Sequence, residues 1–187
     1  MQSTKDDHSM QDLTSEAATD PADDFGALGR FLLTTTRYLA IVGGLVFVAL
    51  VVMSIISITG RKLYAWPVPG DVELLQMCAA FAASTFFAYC HMIGGDVKVD
   101  FFTHNLRPTI VAALDAFGSF LIGAFGALIA WRTAAGAISL KEVGETSAIL
   151  AWPVWIFQAL MVPGFVLMAI AGFYMCFYRL RKMRGAA

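Results

Sequence analysis

Residues 38–60, YLAIVGGLVFVALVVMSIISITG, carry no charged side chain, and their reading decides the fold. An α-helix needs roughly 20 predominantly apolar residues to cross the hydrocarbon core of a bilayer. This stretch supplies one crossing, and the pattern recurs. Residues 74–95 are uncharged apart from His91, residues 116–131 are uncharged, and residues 146–178 form a charge-free run of 33. Four such runs in 187 residues leave no room for a water-soluble domain. The expected fold is all-α and membrane-embedded. Its transmembrane helices fall at about 38–58, 72–93, 109–133 and 153–177.

Composition agrees. The chain is 58% hydrophobic with a mean hydropathy of +0.69, and 14% of it is charged, against about 25% for a soluble domain. The net charge of −1 hides an asymmetry: residues 1–24 hold seven acids and one base, residues 25–187 twelve bases and seven acids. The acidic head is rich in Ser, Thr, Asp and Ala without apolar periodicity, so it is expected to be a disordered tail. It lacks the basic segment and apolar core of a signal peptide. The chain thus divides into an acidic tail (1–24), a four-helix transmembrane domain (25–178) and a basic tail (179–187) on the cytoplasmic side.

Between the spans, local signals mark the turns. Phe25, Leu28 and Leu32 recur at helical spacing and predict a short surface helix leading into span 1. Residues 60–71, GRKLYAWPVPGD, place two prolines and a glycine after span 1, with Tyr64 and Trp66 suited to the headgroup level. After Gly94-Gly95, the spacing of Val99, Phe102 and Leu106 predicts a second surface helix. Orientation follows from Lys and Arg in the flanks and short loops. With both termini inside, eight bases face the cytoplasm and four face out. The three internal loops tie at two each, so the cluster Arg179, Arg181, Lys182 and Arg184 decides for N-in, C-in.

Ionisable groups near the spans are few. Glu73 opens span 2 behind Asp71, where an acid complements the helix dipole or contacts another subunit. Asp115 lies about two turns after Pro108, too shallow for ion coupling at the midplane. It suits pairing with Arg107 or Lys98, or a partner contact. His91 is read as interfacial. No two histidines share a helical face, so haem and zinc lack ligands, and no cofactor is expected. No nucleophile motif, P-loop or dinucleotide fingerprint occurs, and the basic tail reads as an anchor at anionic lipid headgroups, not as a nucleic-acid site. Cys78 and Cys90, about 18 Å apart on one helix, and Cys176 read as packing residues.

Packing signals are richer. Ala80, Ser84 and Ala88 form a small-residue stripe on span 2. Gly126, Ala130 and Ala134 form another on span 3, beside Ser119, Gly123 and Ala127. Small residues at this spacing let helices approach closely in lipid. Met161, Met168 and Met175 recur every seven residues on span 4, an adaptable seam for this bundle or for another protein.

The order of these features resembles the small membrane subunit, DctQ type, of the tripartite ATP-independent periplasmic (TRAP) transporters. GRKL ends span 1, Glu73-Leu74 opens span 2, GGDVKVDFFTHNLRP follows it, and SAILAWPVWIFQALMVPG opens span 4. Arg61, Glu73, Val99, Asp100, Pro108, Pro153, Trp155, Pro163 and Gly164 match the family pattern. Asp96 departs from it, standing where the family usually has histidine. The resemblance covers about residues 30–178. It implies a non-catalytic subunit in a bacterial inner membrane that braces a large multi-span permease. It also implies a periplasmic solute-binding protein and sodium-driven uptake of an organic anion, often a carboxylate. Candidate subunit-interface or membrane-interface residues are then Arg61, Trp66, Glu73, Asp100, Asp115, Trp155, Met161, Met168 and Met175. The alternatives are a self-sufficient homo-oligomeric transporter or channel and the membrane anchor of a redox complex. The first wants an acid at mid-span, which span 1 lacks, and the second wants paired histidines.

Overall fold

The computed structural model describes residues 26–64, 69–95 and 108–185. It contains four long helices: α1 (Ala27–Tyr64), α2 (Asp71–Met92), α3 (Pro108–Val143) and α4 (Val154–Gly185). All four are long and apolar enough to cross a membrane. The acidic head, the second surface helix, Trp66, Asp96 and Asp100 lie outside the described residues.

Three helices outrun the spans read from charge alone. α1 has 38 residues, about 57 Å at 1.5 Å per residue. The expected first surface helix is therefore not a separate element, because residues 27–37 continue into span 1 without a break. No proline interrupts them. The Thr34, Thr35 and Thr36 hydroxyls donate to carbonyls one turn back (2.8, 2.9 and 3.0 Å), so they are satisfied inside the helix. α3 continues ten residues past 133, through an alanine-rich segment with high helix propensity, and ends at Gly144, whose φ is +69°. α4 carries on through the basic segment to Gly185.

The helices form a row, not a closed square. α1 packs on α2, α2 on α4, and α4 on α3, while α1 meets α4 only slightly. Among the described residues, α3 approaches neither α1 nor α2. The molecule is two antiparallel hairpins, α1–α2 and α3–α4, joined side by side through the parallel pair α2 and α4. Each helix consequently keeps most of its apolar surface uncovered. In the most apolar window of each, at most 22% is buried.

Small residues set the spacing along this row. On α3 and α4, a Cβ at Gly172 would lie 2.5 Å from the Gly123 nitrogen, and one at Gly126 would lie 2.9 Å from the Ala169 nitrogen. Those atoms are backbone, so only a shift of the helices could make room. A Cβ at Gly164 of α4 would meet the Ser84 hydroxyl and carbonyl of α2 at 2.6 and 2.8 Å. Ala82, Ser84, Thr85 and Ala88 are buried there. The two hydroxyls donate to carbonyls three residues back, Ser84 to Phe81 (2.7 Å) and Thr85 to Ala82 (2.6 Å), so close contact leaves no donor stranded. Ser84 and Ala88 of the span 2 stripe and Ser119, Gly123, Gly126 and Ala130 of the span 3 stripes thus pack within the chain, while Ala127 is exposed. At the end where α1 begins, Leu32, Leu33, Met92, Ala171 and Met175 form the apolar core, flanked by Tyr89, Tyr174 and Tyr178.

The close α3–α4 approach yields a prediction. Gly172→Ala should destabilise the fold by about 2–3 kcal/mol, lowering the thermal unfolding midpoint in detergent by roughly 5–10 °C. Gly44→Ala, with nothing within 4 Å of the added methyl, should stay within about 0.5 kcal/mol. Equal midpoints for both variants would refute the packing argument.

Candidate functional site

The polar chemistry gathers at the two ends of the row. At the end where α2 begins, its first turn carries Asp71 and Glu73. Residues two apart on a helix are separated by about 200° around its axis, so the two carboxylates leave α2 on opposite sides. Each meets a different neighbour.

Asp71 reaches α1. Its Oδ2 accepts from the Ser57 hydroxyl and from Arg61 Nη2 at 3.2 Å, and its Oδ1 accepts from the Val72 amide at 2.9 Å. Ser57 and Arg61 are four residues apart and therefore share one face of α1, which lets a single carboxylate collect both. The guanidinium is 58% exposed and the carboxylate 17%. An ion pair that open contributes little by itself, so the buried Ser57 hydroxyl fixes the geometry.

Glu73 reaches the other way, into the connection between α3 and α4. It accepts from the Ser147 hydroxyl, from the Ile149 amide (3.1 Å to Oε1, 3.3 Å to Oε2) and from the Leu150 amide at 3.4 Å. The loop is shaped to present these donors. Thr146 pairs with Pro153, the Ser147 amide donates to the Trp152 carbonyl at 2.8 Å, and the Ala151 amide donates to the Ser147 carbonyl at 3.1 Å. Ala151 sits at φ 54°, a left-handed conformation that costs a non-glycine residue about 1–2 kcal/mol. Gly70, at φ +76°, completes the junction. A Cβ there would lie 2.6 Å from Leu150 Cγ, so only glycine both makes this turn and admits the loop.

Arg61 and Glu73, candidates for a subunit or membrane interface, each make contacts within the chain, and Glu73 does more than complement the dipole of its own helix. Trp155 of α4 lies at the same end, with Lys141 of α3 over its ring at 5.2 Å. At the opposite end, Arg179 of α4 donates to the Asp115 carbonyl and to the Ser119 hydroxyl of α3, both at 2.8 Å. His91, expected to be interfacial, is buried there at 1% exposure. Met175 is in the core, while Met161 and Met168 are half-buried. Trp66 and Asp100 lie outside the described residues.

Sequence reasoning missed Ser57, Ser147 and Arg179 as partners. Ser57 was recoverable from its spacing to Arg61. Ser147 is 74 residues from Glu73, and no local pattern joins them.

The Glu73 clasp generates a prediction. Glu73→Ala should leave the Ile149 amide without its acceptor and the Leu150 amide with only the Ser147 hydroxyl at 3.4 Å, and speed their hydrogen exchange on the order of tenfold through local opening of the loop. Exchange at Leu33, in the far core, should not change. Unaltered exchange at 149 and 150 would show that the loop holds its shape without the carboxylate.

No curated protein and no solved structure matches the chain. Residues 50–182 match the family model of tripartite ATP-independent periplasmic transporters, DctQ component. That stretch includes all of α2 and α3, most of α4, the Asp71 and Glu73 contacts and the Arg179 contact. It covers well over half of a chain that holds four membrane-length helices. The protein therefore belongs to the DctQ family, the small permease component of TRAP transporters.

Proposed function

We propose that this chain is a non-catalytic scaffold. In this reading it sits in a bacterial inner membrane with both termini in the cytoplasm and braces a large multi-span permease subunit. A periplasmic solute-binding protein delivers an organic anion, most simply a carboxylate, and sodium drives uptake through the large subunit.

One observation carries this reading: the row of helices has wide uncovered apolar faces and no charged side chain along its central stretches. Residues 38–60, 116–131 and 146–178 hold none, and residues 74–95 offer only His91 near one end. The buried hydroxyls along the row donate to carbonyls of their own helices or to the end contacts. Transporter sites are built from broken helices and polar groups near the midplane, whereas these helices run unbroken and the mid-span hydroxyls of Ser84 and Thr85 are taken up by their own helix. An uncovered apolar face in lipid can accept a second membrane protein at little cost, since neither side must shed water. The four positive charges of the C-terminal segment support the orientation.

Reconstitution tests the assignment. Vesicles holding this chain alone should show no solute uptake under a sodium gradient. Vesicles holding it with the large subunit should take up solute once the binding protein is added. Uptake by the chain alone would sink the scaffold reading. Glu73→Ala should reduce the amount of large subunit that co-purifies, with the order of preferred solutes unchanged. A changed solute order with normal co-purification would place Glu73 in specificity instead.

A further inference from the structure

A groove of about 860 Å³ lies between the start of α1 and the last turns of α4. Its α4 wall is Tyr174, Phe177, Tyr178 and Arg181. These positions follow the spacing i, i+3, i+4 and i+7, so they form one stripe down a single helical face. Opposite stands Leu28 in the first turn of α1. Leu28 and Phe177 are 73% and 68% exposed, and the Tyr174 and Tyr178 rings stack with centroids 6.5 Å apart.

The order of side chains along the stripe is informative. The eight residues from Tyr174 to Arg181 span about 10 Å. They cross the point where the charge-free run of α4 ends at residue 178 and the basic segment begins. Tyr174 and Phe177 therefore face acyl chains, Arg181 stands at headgroup depth, and Tyr178 lies between. Tyrosine belongs at that boundary, and a guanidinium matches a phosphate in geometry as well as charge.

We propose that this groove binds one anionic phospholipid, with an acyl chain along Tyr174 and Phe177 and its phosphate at Arg181. The lipid would fill the space between α1 and α4, whose protein contact among the described residues is slight. The inference needs the four spans but not the transport role, so the two stand or fall separately.

Native mass spectrometry of the full chain, released from micelles containing equal phosphatidylglycerol and phosphatidylcholine, tests it. The wild-type chain should retain phosphatidylglycerol about fivefold more often, in line with one desolvated ion pair. Arg181→Gln, an exposed substitution that leaves the core untouched, should abolish that preference, while Arg132→Gln should keep it. Phe177→Ala should lower retention of both lipids. An unchanged preference in Arg181→Gln, or an equal loss in Arg132→Gln, would overturn the site. Displacement of the lipid by millimolar inorganic phosphate would reduce it to a simple anion site and overturn the lipid assignment. A preference that emerges only after deletion of residues 1–24 would show that the acidic head occupies the groove, and would also overturn it.

Discussion

Two carboxylates on one helical turn set the arrangement of everything else. Asp71 and Glu73 stand on opposite sides of α2, one fastened to α1 and the other to the α3–α4 connection. Both sit at the positive end of the helix dipole, where an acid is already favoured. Each finds hydroxyl and amide donors from a separate part of the chain. The first hairpin is thereby tied to the second through α2. Without that turn, the two hairpins would rely on the small-residue contacts and the apolar cluster around Met92 and Met175.

The tie at this end explains how an open row can be stable. A closed bundle buries each helix against two neighbours, whereas here α1 and α3 each have one principal neighbour. Lipid offers no hydrophobic drive to close the square, because acyl chains solvate an apolar face as well as another helix does. What holds the row is close backbone approach at Gly123, Gly126, Gly164 and Gly172, with polar fastening at both ends. At the far end Arg179 fastens α4 to α3 within the second hairpin, as Asp71 fastens α2 to α1 within the first. The wide faces left over are open to lipid or, in the reading proposed above, to the large subunit.

Much of this was legible in the sequence, because lipid imposes a simple rule. Charge-free runs marked the four helices, and the small-residue stripes on spans 2 and 3 marked the contact faces. The helix ends were less legible. Charge reports where a helix leaves the hydrocarbon, not where its hydrogen bonding stops, so α1, α3 and α4 all extend further than the runs that announced them. The order of the row was also out of reach, since small residues on two helices do not say which pairs with which. Glu73 was noticed as an acid at a helix start, but its donors at 147, 149 and 150 come from a loop that only the tertiary fold brings near. The buried state of His91 was hidden for the same reason.

The account stands most directly on the neighbour order α1–α2–α4–α3, and cysteine crosslinking measures it. With Cys78, Cys90 and Cys176 replaced, a short bifunctional reagent should join Phe47→Cys to Phe86→Cys, whose native rings are 6.5 Å apart. It should likewise join Phe120→Cys to Phe173→Cys, at 5.9 Å. Phe47→Cys paired with Leu128→Cys, on α1 and α3, should remain unjoined within one chain. Efficient intramolecular crosslinking of that last pair would show a closed bundle and contradict the row.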